Sequence, residues 1–389
     1  MEIGVDIKLE EALFSDANEI INLYRAVYGT KYPIAYGTDP ELLKKAIMDQ
    51  DSHMVLIARD LKNKVIAGVL IVEIDAFNKI GKMVGLVVQP DYQRHKIGNS
   101  LVAFVSEYFL KKDQRLNSLY ATTRTVIVGP QMIFVKNNYL PLGIFPNAHR
   151  LSQYETVSLF AKFREGILEK RLPEKDVPES VTPLYKILED LVPKIKIPNC
   201  DESGIKDKVE INEDWEFEII SAPEYAYRRF HEHFPDPSDH FFPFHTPNII
   251  ISEKKGRMDL FAYFSKRDGY CTLIKATKPI SELKGKLTSL YMLLDDIGVS
   301  YIEVLVNVKH KPLIETLLSG QFLPCAIYPA MRETNKHCED YIVMSRTMEP
   351  LNFKGMHVVS QFKPFIDQYV EAWKKVNLDT IEVIYGPKT

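Results

Sequence analysis

Two ten-residue stretches constrain the fold of this chain more than any other feature. Residues 138–147 read NYLPLGIFPN and residues 321–330 read QFLPCAIYPA. Leu140-Pro141 matches Leu323-Pro324, Ile144 matches Ile327 and Pro146 matches Pro329, all at an offset of 183. Aromatic residues coincide too, Tyr139 with Phe322 and Phe145 with Tyr328. Near the same offset, SLYATTRTV faces SYIEVLVNV upstream, the helical pattern after Ile97 faces SELKGKLTSLYMLLDDIG, and YETVSLFAKF faces EDYIVMSRTM downstream. Several elements recurring in one order predict a tandem duplication. The competing explanation is the ordinary likeness of αβ units. A length of 389 residues, at roughly 150 residues per domain, also calls for two or three domains.

The first half reads as strand, helices, three strands, helix, strand, helix and two strands. VDIKLEEA is a strand, and DANEIINLYRAVYG and PELLKKAIMDQD are helices. HMVLIARD, KVIAGVLIVEID and GKMVGLVVQ are apolar, β-branched strands, divided by turn signals at Lys62-Asn63 and Asn78-Lys79. After Pro90 the period changes. Ile97, Leu101, Phe104, Val105, Tyr108 and Phe109 recur at helical spacing and predict an amphipathic helix to about Lys112. A strand (NSLYATTRTV), a short helix (GPQMIFVKNN) and two strands close the half. Residues from about 164 to 212, rich in Pro, Lys and Glu around LYKILEDLV, predict a connector with one docked helix. FKPFIDQYVEAWKKVN predicts a last amphipathic helix.

Composition excludes several classes. An apolar fraction of 46% predicts a packed globular protein. A net charge of −3, with no basic tail, gives no case for nucleic-acid binding. No apolar run is long enough to span a bilayer, so no membrane partner is expected. The opening MEIGVDIKLEEALF lacks the basic and apolar regions of a signal peptide. Cys200, Cys271, Cys325 and Cys338 form no CxxC. That spacing predicts a reducing, cytoplasmic compartment and no structural zinc. No feature of the sequence sets an oligomeric state.

The stretch VVQPDYQRHKIGNSLVAFV, residues 87–105, passes from strand through a polar turn into a helix. The first N–H groups of such a helix lack intrahelical partners and carry the positive end of its dipole, which suits a pyrophosphate. Gln93, Arg94, His95 and Lys96 add donors and positive charge, and Gly98 removes a Cβ where a phosphate must come close. The plainer alternative is a solvated turn.

These residues resemble the signature of the GNAT superfamily of acyl-coenzyme A N-acyltransferases. That signature is a strand ending in V-x-P, then Gln/Arg-x-x-Gly-x-Gly/Ala, then a helix. Gln93 and Gly98 match its ends, whereas Lys96 replaces the inner glycine. The resemblance spans about residues 4–163. A second stretch, about 214–349, resembles the same fold without the loop, since TKPISELKGKL precedes its helix. The expected fold is α/β (α+β), with two GNAT-like domains, each a mixed, mostly antiparallel sheet flanked by helices. The expected division is 1–163, a linker 164–212 with a docked helix, a second domain 213–349 lacking the coenzyme A loop, and a helical tail 350–389.

The resemblance implies acetyl-coenzyme A, or another acyl-coenzyme A, as co-substrate, with no metal. It implies that the backbone of Leu86, Val87 and Val88 holds the pantetheine arm. Gln93, Arg94, His95, Lys96, Ile97, Gly98 and Asn99 would wrap the pyrophosphate. Gln131 would face the cofactor. The family's general-acid tyrosine falls at Phe134, so the usual acid is absent. The loop between the first two helices would border the acceptor site, with Tyr28, Tyr32 and Tyr36 lining it or packing beside Pro33 and Pro40.

An alkylammonium must lose a proton before it can attack a thioester. Glu73 and Asp75 are the candidate bases. They end an apolar strand, and being two apart they share a face. Glu73 is the stronger, because burial raises a carboxyl pKa. Charged residues at strand ends are otherwise commonly only solvated.

FHEHFPDPSDHFFPFHTP carries His231, His233, His240 and His245 among five phenylalanines. Its spacing fits no zinc pattern and predicts a packed loop or partner surface. The expected activity is acyl transfer, acetyl first, to a primary amine of a small molecule or protein. The alternative is a non-catalytic module that binds acyl-coenzyme A or a partner.

Overall fold

The structure is a computed structural model that describes residues 6–29, 34–150, 153–171, 176–192, 195, 197–201, 215–239 and 243–378. The chain divides into two compact units. The first comprises the chain to Thr123 with Gly129–Leu140 and Phe160–Ile167; the second comprises Arg124–Val128, Pro141–Leu159 and the chain from Leu168 on.

The first unit opens with β1 (Ile7–Glu11), α1 (Ala17–Tyr28) and α2 (Pro40–Met48). Asp39 caps α2, accepting from the Glu41 and Leu42 N–H groups at 2.9 and 3.1 Å, with Pro40 in the first turn. Next come β2 (His53–Asp60), β3 (Val65–Asp75) and β4 (Ile80–Val88). Lys64 and Lys79 take φ of 57° in the two tight turns between them. Then follow α3 (Ile97–Glu107), β5 (Ser118–Arg124) and α4 (Gly129–Lys136). The backbone continues past α3 as a π-helical turn, Tyr108–Lys112. The helical spacing therefore holds to Lys112, but α geometry ends at Glu107.

The strands lie in the order β1-β2-β3-β4-β5. All pairs are antiparallel except β4 with β5, which is parallel. This is the mixed, mostly antiparallel, helix-flanked sheet expected for the N-terminal region. Ile20, Ile21 and Tyr24 of α1 and Leu43 and Ile47 of α2 bury their apolar stripes on Val55, Ile57, Val69, Ile71 and Val87 of the sheet.

The second unit includes most of β6 (Leu140–Arg150) and β7 (Tyr154–Phe163). It continues with β8 (Asp176–Pro178), α5 (Thr182–Leu191), β9 (Asn199–Asp201), β10 (Phe217–Ile220) and α6 (Pro223–His233). β11 (Ile249–Glu253), β12 (Asp259–Ser265), β13 (Tyr270–Ala276), α7 (Leu287–Asp296), β14 (Tyr301–Asn307) and α8 (Lys311–Ser319) follow. β15 (Leu323–Thr334), β16 (His337–Thr347) and α9 (Lys363–Asn377) end it. Its main sheet runs β7-β6-β15-β16-β14-β13-β12-β11-β10. β10 to β13 pair antiparallel, and β13 pairs parallel with β14, as β1 to β4 and β5 do in the first unit. Sheet topology and size are thus consistent with a duplicated fold.

The expected division at residue 163 and the division by contacts differ. Gly143 of β6 pairs with Ala326 of β15, two residues at the 183 offset of the sequence repeat. Asn147 donates from Nδ2 to the Pro350 carbonyl at 2.9 Å and accepts the Asn352 N–H at 3.1 Å. These bonds place the 141–159 hairpin in the second unit.

In α5, Leu184, Tyr185 and Leu188 are buried. Asp340 holds it: it accepts from Arg171 Nε at 2.7 Å and from the Tyr185 hydroxyl at 2.9 Å. A buried pair of this kind destabilises by roughly 3–5 kcal/mol when one partner is removed. Cys271, Cys325 and Cys338 are buried and form no disulfide. Among the described residues, no helix is long and apolar enough to cross a membrane.

Candidate active site

The site begins with an irregularity in β4. Val69 pairs with Val87 and Ile71 with Val84, so Gly85 and Leu86 together oppose Leu70. Such a bulge bends the strand and re-aims its backbone. Gly85 takes φ of 65°, and its carbonyl accepts the Tyr24 hydroxyl of α1. The parallel ladder between β4 and β5 ends at Met83 and Ala121. Beyond that pair, Val84–Val88 have no β5 partner among the described residues. The backbone of Leu86, Val87 and Val88 therefore lies where the two strands part.

β4 runs through a 3-10 turn, Pro90–Tyr92, into the loop. The Tyr92 hydroxyl fixes this turn, donating to Asp60 Oδ2 at 2.7 Å. That bond, with others from Asn63 and the Lys62 N–H, holds the Asp60 carboxyl down at about 2. Gln93, Arg94, His95 and Lys96 are exposed, whereas Ile97 and Gly98 are buried and Asn99 half-buried. Arg94 and Lys96 take φ of 71° and 61°. Lys96 thus adopts the left-handed backbone that a glycine takes without strain. No side chain caps α3, and its first intrahelical bond runs from Ser100 N–H to Lys96 O at 2.9 Å. The N–H groups of Ile97, Gly98 and Asn99 precede that bond.

Three residues of this region pack inward. A Cβ on Gly98 would stand 3.0 Å from Ile133 Cδ1, so the glycine lets α3 approach α4. Gln131 has no exposed surface. Phe134, at the acid's position, is buried, stacked on Phe160 at 5.6 Å and edge-on to Tyr139 at 5.3 Å. Two residues of α4 expected near the cofactor are core residues, because its short apolar stripe turns inward.

Glu73 sits among groups that strand register brings together. It pairs with His53 of β2 on one side and Lys82 of β4 on the other. Its Oε1 accepts the Tyr36 hydroxyl at 3.1 Å, and Oε2 lies 3.4 Å from Lys82 Nζ. The Tyr36 hydroxyl is also 2.9 Å from His53 Nε2. Burial, then the neighbouring carboxylate, pushes the Tyr36 phenol above its ordinary value, so it remains a donor. From Lys82 to the bulge at Gly85 is three residues, roughly 10 Å along a strand.

Asp75 has another occupation: it accepts the Asn78 N–H at 2.9 Å and Asn78 Nδ2 at 2.7 Å, closing the β3–β4 turn. Tyr28 is exposed, and Tyr32 lies outside the described residues. His53, Lys82, Tyr24 and Gly85 escape a linear reading. The signal for the first two is register, since His53 opens one strand and Lys82 lies near the start of another flanking Glu73.

The histidine-rich segment does not converge. His231 Nδ1 is 2.8 Å from the Tyr227 carbonyl, His233 Nε2 is 3.0 Å from Arg229 Nη2, and His245 Nδ1 is 3.0 Å from the Pro243 carbonyl. His240 lies outside the described residues. Among the described residues, no three His, Cys, Asp or Glu side chains gather as a metal site.

Residues 17–126 match the model of the acetyltransferase (GNAT) family. The chain therefore contains a GNAT-superfamily acetyltransferase domain in its N-terminal region. Among solved structures, a ribosomal-protein-S5-alanine acetyltransferase from Vibrio fischeri is 18% identical, with a TM-score of 0.36 over 41% of this chain and 94% of that one. A GNAT-family acetyltransferase from Streptococcus pneumoniae is 20% identical, with a TM-score of 0.36 over 41% of this chain and 99% of that one. Spermidine N-acetyltransferase from Vibrio cholerae, in complex with coenzyme A and spermine, is 16% identical, with a TM-score of 0.35 over 41% and 95%. No curated protein matches the chain.

Proposed function

We propose that the N-terminal unit is a coenzyme A-dependent N-acyltransferase that moves an acyl group, acetyl in the first instance, to a primary amine of a small molecule or protein. The opening of β4 supports this reading best. A strand edge beyond the end of the β5 ladder leads, through the Pro90–Tyr92 turn and a short loop, to an uncapped helix N-terminus. The free edge at Leu86–Val88 suits the amides of a pantetheine arm, which would add to it as a short strand. The N–H groups of Ile97, Gly98 and Asn99, with Arg94, His95 and Lys96 beside them, suit the pyrophosphate.

Glu73 is the proposed base. Its carboxylate takes a proton from the ammonium, directly or through a water, and Tyr36 holds one carboxylate oxygen while it does so. The neutral nitrogen attacks the thioester carbonyl. The C–N bond forms, the C–S bond breaks, coenzyme A leaves as its thiolate, and the acylated nitrogen releases its extra proton to solvent to give the neutral amide. Phe134 offers no proton, but an ordinary thiol has a pKa of about 8.5, so the thiolate departs without an acid and takes a proton from solvent.

The burial of Phe134 also suits a second reading, a module that binds acyl-coenzyme A without chemistry. Thiol release from acetyl-coenzyme A, followed across a panel of primary amines, separates the two. Amine-dependent release supports the enzyme. Binding of acetyl-coenzyme A without release for any amine leaves the module.

A further inference from the structure

A cavity of about 760 Å³ opens in the second unit between α7, the α8–β15 turn, the end of β16 and α9. That volume falls within the range of small-molecule sites. Tyr291, Met292, Tyr369 and Trp373 supply aromatic and apolar walls, and Arg346 supplies a cation.

Arg346 is held in place. Its Nη1 donates to the Gly320 carbonyl and to Gln321 Oε1, each at 2.7 Å. Its guanidinium carbon lies 4.3 Å from the centre of the Tyr291 ring. The Tyr291 hydroxyl is tied in turn to the Gly320 carbonyl at 2.9 Å. Yet Arg346 Nε is buried with no hydrogen-bond partner, and no carboxylate pairs with the guanidinium among the described residues. Burial lowers its pKa, as expected of a cation without a counter-ion. Asp295 and Glu349 also line the cavity, but both are exposed, where water screens them.

A fixed, half-buried guanidinium with no carboxylate partner among the described residues, set among aromatic walls, is a receptor for an anion on an apolar body. We propose that this cavity binds a small organic anion, a carboxylate, sulfonate or phosphate carried on an aromatic or broad apolar group. The acid sits on Arg346 and the body lies against the walls of Tyr291, Met292 and Trp373.

The full chain is titrated with 1-anilinonaphthalene-8-sulfonate, an aromatic anion, and binding is read by its fluorescence and by energy transfer from tryptophan. The expected result is one saturable site per chain, retained in the presence of excess acetyl-coenzyme A. Arg346→Met should weaken it by about tenfold or more, as loss of a charged hydrogen-bond partner does. Thr288→Trp, at an exposed position lining the cavity, should weaken it as well, and keeps the test available if Arg346→Met does not fold. Unchanged affinity in either folded variant, several weak sites in place of one, or displacement by acetyl-coenzyme A would overturn the proposal.

Discussion

Tyr36 and Glu73 meet over 3.1 Å, a hydroxyl from the segment before α2 donating to a carboxylate on β3. The bond orients a carboxylate that is held by a half-buried phenol and is free of a turn. Glu73→Gln should therefore lower kcat by roughly 10²–10⁴-fold while leaving acetyl-coenzyme A affinity within a factor of about two. Tyr36→Phe, which keeps the ring and removes the orienting donor, should cost less. Steady-state kinetics at saturating amine check both. An unchanged kcat in Glu73→Gln would remove Glu73 from the chemistry.

Lys96 stands in the left-handed region at φ 61°, where a side chain costs roughly 1–2 kcal/mol. Lys96→Gly relieves that strain but adds unfolded-state entropy, so a net gain of about 0.5–1 kcal/mol is expected in urea denaturation. Lys96→Val should destabilise. Acetyl-coenzyme A should bind Lys96→Gly more weakly than wild type, with a shallower salt dependence, because one positive charge is gone. A glycine variant less stable than wild type would show that the loop tolerates lysine for another reason.

Phe134 tests whether a general acid is merely missing. Because its ring is packed between Phe160 and Tyr139, Phe134→Tyr buries a hydroxyl rather than aiming it at a thiolate. Stability should fall by roughly 1–3 kcal/mol with no rise in kcat. A rise of tenfold or more would mean that the position reaches the leaving group.

The acid limb of stability should carry the mark of Tyr92. Asp60 has a folded pKa of about 2, chiefly from the Tyr92 hydroxyl, below the ordinary value near 3.9. A depressed carboxyl stabilises the fold above its unfolded pKa, and that stability is lost as pH falls through the folded value. The advantage of wild type over Tyr92→Phe should be complete above about pH 4 and shrink toward pH 2. Denaturation midpoints at several pH values read this directly, and a gap independent of pH would contradict it.

Much of the first unit was legible because its signals are local. The strands around Lys62-Asn63 and Asn78-Lys79 and the change of period at Ile97 each follow from neighbours in sequence, as does the helix around Leu188 in the second unit. What depends on register was not. His53 and Lys82 join Glu73 only because β2, β3 and β4 pair as they do. Asp75 shares the end of β3 with Glu73 but is consumed by its own turn. Gly98 matches a loop motif in sequence, and the close approach of Ile133 from α4 shows only in the fold. The likeness of residues 138–147 to 321–330 is visible as matching letters, but the pairing of Gly143 with Ala326, two positions 183 apart, shows only in the folded strands.

The proposed activity requires that the freed edge of β4 and the bare N-terminus of α3 together hold acyl-coenzyme A. Calorimetric titration of the full chain with acetyl-coenzyme A tests it most directly, beside a variant with Arg94 and Lys96 both changed to Glu. One saturable site per chain is expected in wild type, with binding weakened by at least about tenfold in the charge-reversed variant. No saturable heat in wild type, or equal affinity in the two proteins, would contradict it.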